Sequence, residues 1–166
     1  MMNYDQYFMN MAYLVAMKSK DQRTWIGAVI VGVDNEIIST GFNSFPRGIN
    51  DHDETRQEKP EKYFWFEHGE RNAVYNAARI GVSTKGCKMY TQGIPCAECA
   101  RACIQAGIIE IIVDKKVNMN SIWKDSQTRS AKMLQEAGVT VREIEFEPIK
   151  RIERLSDGVM LNCDET

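Results

Sequence analysis

The chain of 166 residues carries 43% apolar and 27% charged side chains and a formal net charge of -2, which suits one folded domain around a single core and argues against disorder. That charge gives no bulk support to a nucleic-acid surface, although one local arginine is enough to grip a phosphorylated small substrate. No apolar run is long enough for a membrane span, and Met1-Met2-Asn3-Tyr4-Asp5 lacks the basic region of a secretion signal, so the expectation is a cytoplasmic protein.

In chain order, residues 5 to 19 read as a helix with Phe8, Met11, Ala12, Val15 and Met17 as its apolar stripe, thickened by Met9, Tyr13 and Leu14. Ile26 to Val33 is a β-branched strand, Asp34-Asn35 a turn, and Glu36 to Thr40 the start of the return strand. The stretch from Gly41 to Gly48 is a shaped loop. Residues 49 to 66 form a long irregular connection ending in Tyr63-Phe64-Trp65-Phe66, a segment of the kind that makes lids and binding loops. Glu70 to Ile80 reads as a helix closed by Gly81, Cys87 to Thr91 as a strand, and Ala97 to Ala106 as a helix opened by Pro95 and ended by Gly107. Ile108 to Val113 is apolar enough for a strand covered on both faces. Residues 120 to 126 read as a loop, Gln127 to Ala137 as a helix closed by Gly138, and Val139 to Ile144 as a last strand. This alternation predicts an α/β fold with parallel crossovers. Residues 145 to 166 are an acidic tail with weak helical signal around Ile149 to Leu155, and residues 1 to 166 read as a single domain.

The chemistry-bearing residues fall at two helix starts. His68 opens one helix two residues before Glu70, and Cys96 and Cys99 open another within Pro95-Cys96-Ala97-Glu98-Cys99. Spacing of i and i+3 puts both sulfurs on one face, where the positive helix end favours thiolate. Of the five cysteines, Cys87, Cys96, Cys99, Cys103 and Cys163, this pair beside a proline reads as a metal pair in a reducing compartment. Two thiolates and one imidazole leave a catalytic zinc a fourth place for water, whereas a structural zinc fills all four. Glu70 is placed to act as the base. His-x-Glu followed by Pro-Cys-x-x-Cys is the signature of the zinc nucleobase deaminases, and these roles are matched to that signature and not read from spacing alone. Competing readings are a structural zinc, with His52, Cys103 or Cys163 as a fourth ligand, and a redox pair, which the preceding Pro95 disfavours. Cys87 and Cys103 read as core, and His52 as a solvated loop residue, with a second metal there as the lesser alternative.

Ile26 to Asn43 with Ser44-Phe45-Pro46-Arg47-Gly48, then His68-Gly69-Glu70-Arg71-Asn72-Ala73-Val74, then Pro95-Cys96-Ala97-Glu98-Cys99-Ala100 resemble the cytidine and deoxycytidylate deaminase superfamily, and its deoxycytidylate deaminase branch most of all, over residues 8 to 143. The resemblance implies a cytidine deaminase-like α/β/α sandwich with a mixed sheet of about five strands. It implies zinc on His68, Cys96 and Cys99, Glu70 as proton shuttle, Asn43 on the sugar, and backbone near Gly69 and Cys96 orienting the base. Arg47 and its loop would take a phosphate, of the substrate or of an effector. It further implies a homo-oligomer, dimer or hexamer, and, as an option, regulation by dCTP and dTTP with magnesium. The chain departs from the pattern at Gly69, where alanine is usual and glycine is expected to loosen the helix start, at Trp65-Phe66-Glu67, and at Gln92-Gly93-Ile94.

The expected reaction is hydrolysis of the exocyclic amine of a cytosine nucleotide, dCMP to dUMP plus ammonia, with Trp65, Phe66 and Tyr90 as candidates for an aromatic wall around the base and core packing as the alternative for each. A free nucleotide is favoured over a polynucleotide, because Arg47 offers one phosphate clamp while Lys115-Lys116 with Lys124, the one thin cationic hint, reads as solvated surface. The rivals are a deaminase of another nucleoside, a free base or tRNA adenosine, and a non-catalytic zinc-stabilised binding subunit; Glu70 separates the last from an enzyme.

Overall fold

The computed structural model describes residues 2–117 and 123–149, together with the backbone of 153–156 and 159–162. Asn3 caps helix α1 (Tyr4–Ala16) by accepting from the Gln6 N–H at 2.8 Å. β1 (Gly27–Val31) and β2 (Ile37–Phe42) form an antiparallel hairpin, with Asn35 at φ 66° in the turn between them. A 3-10 turn (Glu54–Gln57) and the short α2 (Lys62–Trp65) lead into α3 (Gly69–Ile80). Then come β3 (Lys88–Thr91), α4 (Ala97–Gln105), β4 (Glu110–Asp114), α5 (Lys124–Glu136) and β5 (Thr140–Ile144). The sheet runs β2-β1-β3-β4-β5; β1 pairs antiparallel with both neighbours, and β3, β4 and β5 are parallel. This is the expected mixed five-stranded sheet.

Side-chain alternation along the strands divides the core in two. Ala28, Ile30, Met89, Ile111 and Val113 pack under Ala73, Ala100, Cys103 and Leu134 of α3, α4 and α5. Val29, Val31, Tyr90 and Ile112 face the other way, against Phe8, Met9 and Ala12 of α1. The central strands are therefore apolar on both faces, as Ile108 to Val113 suggested. No helix among the described residues is long and apolar enough to cross a membrane.

Several boundaries differ from expectation. α1 stops at Ala16 and leaves Met17 63% exposed, while Met9 is fully buried. The helix turns its Phe8, Met9, Ala12 and Ala16 line to the sheet, so Met11 and Val15 are only flanking. The long connection holds two short helical turns. α5 begins at Lys124, so residues 124 to 126 of the expected loop are helical, while 118 to 122 lie outside the described residues. In the tail, β6 (Glu153–Ser156) and β7 (Val159–Asn162) pair antiparallel. The helical expectation fails at 153 to 155, and 150 to 152 lie outside the described residues. The cue for that hairpin was Asp157-Gly158, a favoured two-residue hairpin dipeptide.

α1 is tied to the sheet through Asp5. Arg142 donates to both its oxygens, from Nη1 at 2.5 Å and Nη2 at 3.0 Å, and the Tyr90 hydroxyl donates to it at 2.8 Å. The Arg142 hydrogen bonds, against the opposing effect of burial, hold the Asp5 carboxyl below its ordinary value of 3.8. A depressed carboxylate adds stability above its unfolded pKa, and that stability is lost as pH falls through the folded value. Asp5→Asn is expected to lower the urea midpoint at neutral pH, with the gap to the unchanged protein closing as the pH is taken down through 3.8 and below.

Candidate metal centre and substrate pocket

Two helix N-termini meet at one point. His68 is the N-cap of α3 and Cys96 the N-cap of α4, and Cys99 lies in the first turn of α4. His68 Nδ1 lies 3.5 Å from Cys96 Sγ and 3.5 Å from Cys99 Sγ. The three ligand atoms all fall within 4.8 Å of one another, the one such cluster among the described residues. Tetrahedral zinc, with Zn–N near 2.0–2.1 Å and Zn–S near 2.3 Å, puts nitrogen and sulfur about 3.5 Å apart, so the donor set fits that ion in both type and spacing.

The electrostatics point the same way. Hydrogen bonding from the Cys99 thiol, opposed by burial and helped by His68, brings Cys96 down to about 3. Cys99, donating to Cys96 and buried, is pushed well up. The pair thus shares a proton that a cation at the same point would displace. Burial works against protonated His68, but hydrogen bonding to Cys96 and the charge of Glu70 more than restore it. Arg71 of α3 forms ion pairs with Glu67 and with Glu98 of α4, tying the two ligand-bearing helices together.

Glu70 is 5% exposed, and burial raises its carboxyl above the usual carboxylate range. Its Oε2 is buried with no hydrogen-bond partner among the described residues. Gly69 opens α3. It lets α3 rest on the first strand's approach, since a Cβ there would meet the Ile26 carbonyl oxygen at 2.8 Å.

A cavity of about 330 Å³ adjoins this centre and is lined by His68, Glu70 and Cys96 together with Asn43 and Phe66. Asn43 Oδ1 accepts from the Ile26 N–H at 2.8 Å, and its Nδ2 donates to the Thr24 carbonyl at 2.8 Å and to Asp21 at 3.3 Å. The amide donors are thus committed, and Oδ1 keeps one further lone pair. Phe66 packs on Phe45 with ring centroids 4.3 Å apart.

Three expected substrate contacts lie elsewhere. Tyr90 faces α1, 5.2 Å from the Phe8 ring and bonded to Asp5, because strand alternation turns it away from the α3 and α4 side. Trp65 is outside the cavity: the Arg56 guanidinium covers its ring at 3.9 Å, and its indole N–H donates to Glu61 at 2.7 Å. Arg47 is exposed on a second cleft of about 390 Å³, where it donates to Asn76 Oδ1 at 2.5 Å.

Among the cavity residues that sequence reasoning missed is Trp123, at the N-terminus of α5. It lines the cavity with its ring edge-on to His68 at 5.4 Å and to Tyr63 at 5.7 Å. A lone tryptophan in a polar stretch before a helix was the available signal. Cys103 packs on Met89 at 3.7 Å, the His52 side chain is 95% exposed, and Lys115 and Lys116 pair with Glu145 and Glu147. Cys163 lies outside the described residues.

Residues 2–115 match the family model of the cytidine and deoxycytidylate deaminase zinc-binding region. The deoxycytidylate deaminase of Mus musculus is 38% identical over 149 residues, spanning 86% of this chain and 80% of its own length. That of Homo sapiens is likewise 38% identical, with the same coverage of 86% and 80%. The crystal structure of dCMP deaminase from the cyanophage S-TIM5 in complex with dCMP and dUMP, 24% identical, aligns with a TM-score of 0.68 over 87% of this chain and 100% of that one, a likeness of fold. The chain belongs to the cytidine and deoxycytidylate deaminase family, on its deoxycytidylate deaminase branch, as a zinc-dependent hydrolase.

Proposed function

We propose that the protein hydrolyses the 4-amino group of dCMP, giving dUMP and ammonia. The observation that carries this reading is Glu70: a buried carboxylate with one oxygen unpartnered among the described residues, on the same cavity as the His68, Cys96 and Cys99 cluster. An orphaned buried carboxylate is costly unless its free lone pairs have a task. The 38% identity to deoxycytidylate deaminases supports the substrate.

His68, Cys96 and Cys99 would hold the zinc, which when bound would supply Lewis acidity and bring the pKa of a water toward about 7. Glu70 takes one proton from the attacking water and delivers it to N3 of cytosine as oxygen adds at C4. It then carries the second water proton to the departing amine, which leaves as ammonia. The carboxyl's raised pKa suits both giving and taking a proton. Phe66 and Trp123 form the aromatic wall of the base subsite, the backbone at Gly69 and Cys96 orients the base, and the free lone pair of Asn43 Oδ1 accepts from a sugar hydroxyl. Arg47, on its own cleft, is assigned to the phosphates of a nucleotide effector, to be tested with dCTP and dTTP plus magnesium in the assay below.

Two outcomes follow. Cys99→Ser should retain less than about a tenth of the roughly one zinc per chain held by the unchanged protein through dialysis, read by atomic absorption. Glu70→Gln should keep its zinc and lose turnover by about 10²–10⁴-fold in an ammonia-release assay over cytosine, adenine and guanine nucleosides and nucleotides. Zinc-loaded protein that releases no ammonia from dCMP would end the reading.

A further inference from the structure

With Arg47 on a different cleft, positive charge in the substrate cavity comes from two other residues, Lys59 and Lys62. Both belong to the connection between β2 and α3. Lys62 is only 6% exposed, and its Nζ donates to Asp21 Oδ2 at 2.6 Å, 5.7 Å from the Phe66 ring centroid. Asp21 is saturated. Its Oδ1 accepts from the N–H groups of Arg23 at 2.8 Å and Thr24 at 3.2 Å, and its Oδ2 accepts from Lys62 and from Asn43. Four donors spread the charge of Asp21 and fix where Lys62 stands. Lys62, with three N–H donors, has Asp21 as its one hydrogen-bonding partner among the described residues. Lys59 is exposed at the cavity and forms no ion pair among the described residues.

A buried ion pair is seldom the most stable filling for its volume; apolar side chains of similar size often do as well or better. A pair retained on a cavity wall, with two ammonium donors unspent and a second lysine three residues earlier, is an anion-binding arrangement. We propose that Lys59 and Lys62 bind the 5′-phosphate of the substrate and set the preference for nucleotide over nucleoside. This rests on the deaminase reading and deepens it. Lys62, Asp21 and Asn43 form one hydrogen-bonded chain, so the phosphate and sugar subsites are held in register by the same carboxylate.

The test compares kcat/KM for dCMP and for deoxycytidine in zinc-loaded protein, with dUMP and deoxyuridine as competing ligands. Lys59→Gln is expected to cut the preference for dCMP over deoxycytidine by about tenfold or more, through KM, and to weaken dUMP relative to deoxyuridine by a similar factor. Lys62→Gln combined with Asp21→Asn removes both buried charges together and leaves none unpaired; it should cut the same ratio further. A merely structural role would lower both substrates alike and leave the ratio unmoved. If the protein deaminates dCMP and the ratio survives in both variants, the lysine assignment is overturned while the deaminase reading stands. If the unchanged protein deaminates no cytosine compound, both fall.

Discussion

The site depends on how closely α3 can lie against the hairpin. A Cβ on Gly41 would sit 2.2 Å from the Ala73 amide nitrogen, and one on Gly69 would sit 2.8 Å from the Ile26 carbonyl oxygen. Two missing methyl groups let the helix backbone touch the strand backbone, and polar side chains then peg it there. Asn72 Nδ2 donates to the Phe42 carbonyl at 2.8 Å, Asn76 Nδ2 to the Thr40 carbonyl at 2.6 Å, and Ser39 Oγ to the Ala73 carbonyl at 2.7 Å. His68 caps a helix so fixed, and its ring meets two sulfurs delivered by the crossover from β3 to β4. Both helices aim their positive ends at one point, which favours the anionic sulfur that a metal needs.

The parts legible in sequence were those carried by local pattern. Helix starts at His68 and Cys96, the hairpin around Asn35, and the two-faced apolar strand at Ile111 to Val113 all follow from spacing and residue type over a few positions. What was not legible needed the tertiary arrangement. Tyr90 neighbours Met89 and Thr91, and parity alone says only that it opposes them; the packing of α3, α4 and α5 decides which side bears the site. Trp65 and Phe66 are adjacent, yet the cavity takes Phe66, because Arg56 from the preceding 3-10 turn covers Trp65. Arg47 follows its loop to the outer side of α3, beside Asn76. Trp123 reaches His68 only because α5 packs on α4 and turns its N-terminus to the centre.

The cavity also marks itself by where the ordinary economy of folding is broken. Buried charges are tolerated when paired and fully hydrogen-bonded. Glu70 breaks that rule outright, with one oxygen buried and unpartnered among the described residues. Lys62 bends it, with a nearly buried ammonium and, among the described residues, one partner for three donors. Each alone would be a local oddity. They stand on walls of the same 330 Å³ space, one carboxylate beside the metal ligands and one ammonium on the connection between β2 and α3. An apolar replacement at Glu70 would remove the group proposed to move a proton, and one at Lys62 would remove one of the two lysines proposed to hold a phosphate. The departures from good packing therefore locate the site independently of the motif.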